Sequence, residues 1–172
     1  MNSVVVRTYE EKDIEYVITR HRELYKTEYN FSKEFSDYVE KYVLKFHEHH
    51  DEYRENMWIV EVNGNTSGVI ALIKADDDTA QLRWFLVEPE LRGIGLGHKL
   101  METLIDFGNE KGYKHILLWT VNILEAARHL YASYGFKLTE SIKNTSWTND
   151  VILKSAGAYI YNFQVNTNQV ET

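Results

Sequence analysis

The sequence has no cysteine among its 172 residues. This absence excludes disulfide bonds, cysteine-ligated zinc sites and thiol nucleophiles, and it fits a reducing compartment. The sequence also lacks any run of about 18 apolar residues, the length that a membrane-spanning helix needs. The apolar stretch at the N-terminus is too short for a secretory signal, and acidic residues follow it directly. We therefore expect a cytoplasmic protein with no membrane partner.

Basic charge is also in short supply. The chain carries 19 Lys and Arg residues against 26 Asp and Glu residues, a formal net charge of −7. Such a chain is a poor general binder of nucleic-acid phosphates, so no nucleic-acid partner is expected. A bound anion would need a local positive potential, which helix N-terminal amides and one or two basic side chains can supply.

Proline occurs only once, at Pro89, directly after an apolar run in the middle of the chain. The apolar spacing before it predicts a strand, two helices and then a meander of three strands. The first strand is SVVVRTY. The first helix runs over Lys12–Glu28, and the second begins after an N-cap at Ser32. The meander consists of MWIVEV, SGVIALIKA and AQLRWFLV, with a tight turn at Asn63-Gly64.

The pattern changes after the proline. A helix, the strand KHILLWTV, a helix in AARHLYASYGF and the strand FKLTES follow in turn, which implies at least one parallel strand pairing. The fold class is therefore α/β (α+β), with a mixed, mostly antiparallel central sheet flanked by helices. We expect one domain over residues 1–143. Residues 144–172 would add one or two strands, in DVIL and AYIYNF, and a frayed polar tail.

The segment VEPELRGIGLGHKLME, residues 87–102, places three glycines between a strand and a helix. Glycines let a ligand approach the backbone, and the first turn of a helix has unpaired amides, so the segment is typical of a phosphate cradle with Arg92 at its edge. A connection that merely packs tightly is the structural alternative. The spacing fits neither the dinucleotide fingerprint nor the nucleoside-triphosphate loop.

The run from Arg92 to Gly97 resembles the R/Q-x-x-G-x-G/A signature of the GNAT family of N-acetyltransferases. LVEP stands where that family ends its central strand, AARHLYASYGF resembles its later helix, and the order of elements is the same. The paired N-terminal helices and AARHLYASYGF also resemble the acetyltransferase domain that some bacteria fuse to MarR-type regulators. The resemblance covers about Val4 to Glu140.

The resemblance implies acetyl-CoA as cosubstrate and a primary amine of a small molecule or a protein as acceptor. It implies that the central strand and KHILLWTV part to make a slot for the thioester, and that the amide of Val87 is an oxyanion donor. A homodimer is a habit of the family. The coenzyme-binding residues that it implies are Leu86, Val87, Arg92, Gly93, Ile94, Gly95, Leu96 and Gly97.

Tyr131 occupies the position of the family's usual general acid. A phenol with a reference pKa near 10 is protonated at neutral pH and can donate a proton. The general base stays open among Glu23, Glu28, Glu61 and Glu88, or a water chain. Many family members have an asparagine where this chain has Leu124, with Asn122 as a nearby substitute.

Two further readings remain beside catalysis. A non-catalytic acyl-CoA-binding sensor would use the same cradle, and a nucleotide-binding domain would use it for another phosphate. No metal site is expected, because His47 and His50 lie at the polar end of a helix, where imidazoles suit the negative end of the helix dipole.

Overall fold

The computed structural model describes residues 2–121, 125–143 and 155–164. Its four helices and seven strands follow the order expected from the sequence. The elements are β1 Val4–Thr8, α1 Ile14–Tyr29, α2 Lys33–His49, β2 Asn56–Val62, β3 Asn65–Lys74, β4 Thr79–Val87, α3 Leu96–Glu110, β5 His115–Val121, α4 Glu125–Ser133, β6 Lys137–Lys143 and β7 Ser155–Asn162. Helix α2 begins directly after Ser32, the predicted N-cap residue.

The seven strands form a single sheet in the order β1-β2-β3-β4-β5-β7-β6. The β4–β5 pairing is parallel, and the other five pairings are antiparallel. Asn63 and Gly64, with φ of 53° and 81°, make the left-handed turn between β2 and β3 that their sequence predicts. The predicted fold class is confirmed.

Two apolar cores cover the two faces of the sheet. Helices α1 and α2 pack over one face with residues such as Ile59 and Ala71, while α3 and α4 pack over the other with Val60 and Leu72. The alternation along β2 and β3 explains this division, because successive side chains of a strand point to opposite faces. The glycine-containing segment joins β4, near the middle of the sheet, to α3.

The C-terminal segment completes the sheet in an unexpected place. Strand β7, which contains most of the predicted strand AYIYNF, lies between β5 and β6 and pairs with both. The other predicted strand, DVIL at residues 150–153, and the polar end at residues 165–172 lie outside the described residues. Strand β7 therefore joins the same sheet as the rest of the chain.

Candidate active site

Strands β4 and β5 are paired over a short distance only. Their ladder joins Thr79–Gln81 to His115–Leu117, whereas β4 continues to Val87 and β5 to Val121. The sheet therefore opens between the two strands beyond Gln81, as the resemblance implies. A parted pair of parallel strands leaves backbone groups that a ligand can use as if it were an added strand.

A β-bulge in β4 controls which groups border this opening. Arg83 pairs with Ala71 and Leu86 with Val69, so β4 holds one more residue than β3 over the same span, and Trp84 has a φ of 51°. One extra residue reverses the alternation of side chains. Leu82 accordingly packs under α3, whereas Trp84 and Leu86 pack under α1 and α2. The apolar alternation of AQLRWFLV gives no sign of this reversal.

The backbone of Val87 faces the opening. Leu86 is in register with Val69, and the amide of Glu88 donates to the carbonyl of Ser67 at 2.9 Å, so these two residues use their polar groups towards β3. Because hydrogen-bonding direction alternates along a strand, the amide and carbonyl of Val87 point away from β3. The Val87 carbonyl accepts a hydrogen bond from Arg92 Nε at 3.3 Å.

The glycines after β4 have two different roles. Gly93 and Gly95 have φ of 92° and 87°, and a Cβ built on either would meet nothing within 4 Å. Backbone in this left-handed region favours glycine, and the open space beside it admits a ligand. A Cβ on Gly97 would lie 3.3 Å from the Leu130 side chain, so Gly97 permits α3 to pack closely against α4. The glycines thus differ: Gly93 and Gly95 border open space, and Gly97 permits close packing.

The N-terminus of α3 supplies the polar groups of the cradle. Gly95 is the N-cap residue and makes no side-chain cap, and the amide of Lys99 donates to the Gly95 carbonyl at 3.1 Å. The amides of Leu96, Gly97 and His98 precede this bond and have no acceptor inside the helix. Unpaired amides at the positive end of a helix dipole bind anions such as phosphate.

The cradle opens into a cavity of about 650 Å³ between α1, the end of β4 and α4. Seven of the eight residues expected to bind coenzyme line it, namely Leu86, Val87, Arg92, Gly93, Gly95, Leu96 and Gly97. Ile94 is the exception, because its side chain turns outward between two left-handed glycines and is 48% exposed. The expectation for Ile94 concerns its main-chain amide, and it stays a prediction.

Tyr131 lies in α4 behind the cavity wall. It is 5% exposed, and its ring centroid is 6.1 Å from Phe85 and 5.8 Å from Phe136. Its neighbour Leu130 lines the cavity. Burial, followed by the nearby phenol of Tyr25, raises the pKa of Tyr131 well above its ordinary value. The phenol is therefore protonated at neutral pH, as the donor role requires.

Two of the α1 residues that line the cavity form polar contacts that the sequence did not predict. Tyr25 lines the cavity, and its hydroxyl donates to the Phe85 carbonyl at 3.4 Å, a long hydrogen bond. Glu28 also lines the cavity, and its carboxylate accepts two hydrogen bonds of 3.0 Å from Arg92. Only a tertiary contact reveals these residues, since each lies about 60 positions from its partner in the chain.

Every carboxylate considered as a general base is paired with an arginine. Glu61 binds Arg7, Glu23 and Glu88 both bind Arg20, and Glu28 binds Arg92. Glu88 also accepts a hydrogen bond of 3.2 Å from the Tyr16 hydroxyl. The geometry singles out none of these acids as a base.

Other sequence features lie apart from the cavity. His47 shares a 3.0 Å hydrogen bond with the Tyr9 hydroxyl, and His50 bonds the Phe46 carbonyl. The described residues contain no group of three or more His, Asp or Glu side chains placed to hold a metal ion. Within the same residues, no helix has both the length and the apolar character needed to cross a bilayer. Asn122 and Leu124 fall outside the described ranges.

Comparison with known proteins agrees with this geometry. Residues 18–136 match the model of the Acetyltransferase (GNAT) family. The Xenopus tropicalis protein called Probable N-acetyltransferase camello is 34% identical over 82 residues, which are 46% of this chain and 37% of that protein. N-acetyltransferase 8B from Homo sapiens is 34% identical over 87 residues, 48% of this chain and 38% of that protein. The chain thus matches less than half the length of these curated relatives.

Solved structures share the whole fold. A GNAT family acetyltransferase from Elizabethkingia anophelis, crystallised with acetyl-CoA bound, superimposes with a TM-score of 0.70 at 16% identity, covering 93% of this chain and 98% of that one. At this identity the likeness establishes the fold, while the family model covers well over half of the sequence. On these grounds the chain belongs to the GNAT family of acetyltransferases.

Proposed function

We propose that the protein is an N-acetyltransferase that moves an acetyl group from acetyl-CoA to a primary amine of a small molecule or protein by direct attack. The observation that carries this proposal is the cradle, in which left-handed Gly93 and Gly95 face open space beside the unpaired amides of α3. The cradle opens into the cavity at the place where β4 and β5 part. The acetyl-CoA bound to the Elizabethkingia anophelis relative supports the choice of ligand.

The residues around the cavity suit the separate parts of coenzyme A. The amides from Arg92 to Gly97 would hold the diphosphate, because they combine backbone donors with the helix dipole. The outward-facing backbone of Val87 would bind the pantetheine arm as an added strand would. The cavity of about 650 Å³ falls within the usual size of small-molecule sites.

When bound, acetyl-CoA supplies a thioester whose carbonyl the neutral acceptor amine attacks. The amide of Val87 would donate a hydrogen bond to the carbonyl oxygen as negative charge develops there. One preorganised donor of this kind is worth about 2.7–4 kcal/mol in the transition state. The Tyr131 phenol would donate its proton towards the departing thiolate, and burial keeps that proton on the oxygen until then.

Turnover separates this function from the alternative, a non-catalytic acyl-CoA sensor. The chain is incubated with acetyl-CoA and a broad panel of amines, and free thiol is followed with time. We expect amine-dependent thiol release with at least one acceptor class. Coenzyme binding without release on any amine would contradict catalysis and favour the sensor. Displacement of coenzyme A by ATP or NAD at comparable concentration would instead contradict the assignment of coenzyme A as the ligand.

Substitution of the cradle glycine tests the binding mode directly. Gly95→Asp should weaken coenzyme A binding by about 10- to 50-fold, because a carboxylate would face the diphosphate at close range. The matched control is Gly64→Asp in the β2–β3 turn, which has a similar φ of 81° and open surroundings. It imposes comparable backbone strain at a site remote from the cradle. Equal calorimetric affinities in the two variants would contradict the cradle.

Three further expectations, drawn from composition and from the family resemblance, concern assembly, location and relatives. The homodimer, the cytoplasmic location and the likeness to domains fused to MarR-type regulators stay predictions. Sedimentation of the purified chain checks the first of them, with a mass of twice 20.3 kDa expected for a dimer.

A further inference from the structure

Arg92 already has an anionic partner although it stands at the edge of an anion cradle. Its Nη1 and Nη2 atoms donate to the two carboxylate oxygens of Glu28, each at 3.0 Å, and its Nε atom donates to the Val87 carbonyl at 3.3 Å. A two-point pairing of this kind matches the planar fork of the guanidinium and fixes its orientation. The positive charge expected at the cradle is therefore already neutralised by α1.

The ion pair borders the cavity beside the proposed diphosphate cradle. Glu28, Arg92, Gly93 and Gly95 all line the same cavity. The side chain of Arg92 is 46% exposed and that of Glu28 is 24% exposed, so the pair is accessible to solvent and to a ligand. A phosphate is the other group that a guanidinium binds in this two-point geometry. Carboxylate and diphosphate thus compete for one cation.

We propose that Glu28 is a specificity-determining residue of the coenzyme site, which occupies Arg92 until a diphosphate-bearing ligand replaces its carboxylate. This inference rests on the proposed function, since it takes the cradle as the diphosphate site. A thioester without phosphates has no group that can displace Glu28 from the guanidinium. The ion pair therefore lowers the affinity for every ligand that must break it. It leaves unaffected the ligands that contact only the apolar side chains of the cavity.

The competition between the Glu28 carboxylate and a diphosphate predicts tighter diphosphate binding when Glu28 loses its charge. In Glu28→Gln the guanidinium loses its anionic partner, and the diphosphate no longer meets a carboxylate at the cavity entrance. Both changes favour a diphosphate. Because exposed ion pairs are weak, the expected gain is moderate, and coenzyme A should bind about 3- to 10-fold more tightly. Pantetheine, which lacks phosphates, should bind within about twofold of the wild-type chain.

The control lies five residues earlier on the same helix. Glu23 is also paired with an arginine, Arg20, and it lies outside the residues described as lining the cavity. Glu23→Gln removes the same charge from α1 and should leave both affinities unchanged. The double variant Glu28→Gln/Arg92→Gln should lose the gain, since the residue that benefits is absent. Circular dichroism verifies that each variant is folded.

Isothermal titration with coenzyme A and with pantetheine decides the matter. Tighter coenzyme A binding in Glu28→Gln alone supports the proposal. Weaker or unchanged binding overturns it and would mean that Glu28 holds Arg92 in its ligand-binding orientation. Equal gains for coenzyme A and pantetheine also overturn it, because the change would then concern cavity shape. If the wild-type chain fails to bind coenzyme A, the proposed function falls as well; normal wild-type binding confines the failure to Glu28.

Discussion

Helices α1 and α4 border the same cavity with different chemistry. Helix α1 presents hydroxyl and charged groups, with Tyr25 and Glu28 bonded across the cavity entrance to Phe85 and Arg92. Helix α4 lines the opposite side mainly with small or apolar side chains such as Ala126, Ala127 and Leu130. The α1 side, the polar wall, therefore offers charged partners that a ligand can displace, whereas the α4 side, the apolar wall, offers only His129 and Ser133 as polar lining residues. Tyr131, the proposed general acid, lies behind the apolar wall and is not among the described residues that line the cavity.

The largest expected effect falls on the apolar wall. Tyr131→Phe should reduce kcat about 10²-fold or more while leaving coenzyme affinity nearly unchanged, because the proposed role of the phenol is to protonate the leaving group in the transition state. Tyr134→Phe is the control, since it removes a phenol from the same helix whose hydroxyl contacts His98 and Glu102 at the surface. Steady-state kinetics with the best amine of the panel measures both. Equal turnover in Tyr131→Phe and the wild type would remove Tyr131 from the mechanism.

The second-largest expected effect is on the pH dependence of stability, through a buried histidine of α1. His21 of α1 is buried, its Nδ1 atom bonds the Val17 carbonyl at 2.8 Å, and Nε2 has no partner among the described residues. Burial lowers the pKa of His21 from 6.5 to about 4. Between these values the unfolded chain binds a proton that the folded chain does not. The stability linked to His21 is therefore complete above about pH 6.5 and is lost as the pH falls towards 4.

Chemical denaturation across this pH range measures the loss. The wild type should lose about 3 kcal/mol more unfolding free energy than His21→Phe between about pH 6.5 and 4. Phenylalanine retains a ring to stack on Tyr25 but cannot titrate. His49→Gln, which replaces an exposed imidazole, should follow the wild type. Parallel pH profiles for the wild type and His21→Phe would contradict a neutral, buried imidazole.

The smallest effect concerns the ion pair that joins α1 to the end of β4. Glu88 binds Arg20 at 2.8 Å and the Tyr16 hydroxyl at 3.2 Å, with 15% of its side chain exposed. Glu88→Gln should lower the unfolding free energy by about 1 kcal/mol, because a partly buried charged bond is lost. Glu90→Gln, at an exposed position nearby, should have no measurable effect. Denaturation midpoints compare the two, and equal midpoints would mean that this part of α1 is held by apolar packing alone.

The backbone conformation between β4 and α3 could be predicted from the sequence because its signals are local. Glycine at Gly93 and Gly95 reflects backbone conformation, and the start of α3 follows from helical spacing, so neighbours in sequence are neighbours in the site. The partners of α1 could not be predicted in the same way. Glu28 and Arg92 are 64 positions apart, and nothing in either segment specifies that they meet.

The sequence also could not predict the bulge at Trp84 or the close approach of the neighbouring strand at Gly68. A Cβ on Gly68 would lie 2.7 Å from the Leu86 carbonyl, so the residue is constrained by a neighbouring strand rather than by its own conformation. Alternation in AQLRWFLV predicts one continuous face, and the extra residue that breaks it is visible only in the register with β3. Pairing between strands sets both features.

The short ladder between β4 and β5 also bears on hydrogen exchange. Beyond Gln81, each amide of β4 faces either β3, where it has a strand partner, or the opening, where it has none. Amides that face β3 should exchange slowly and those that face the opening should exchange fast, with their order interrupted at the Trp84 bulge. A ligand bound in the opening would slow the exchange of the amides that face it and leave the amides that face β3 unchanged. Exchange along β4 would therefore report whether the opening is occupied.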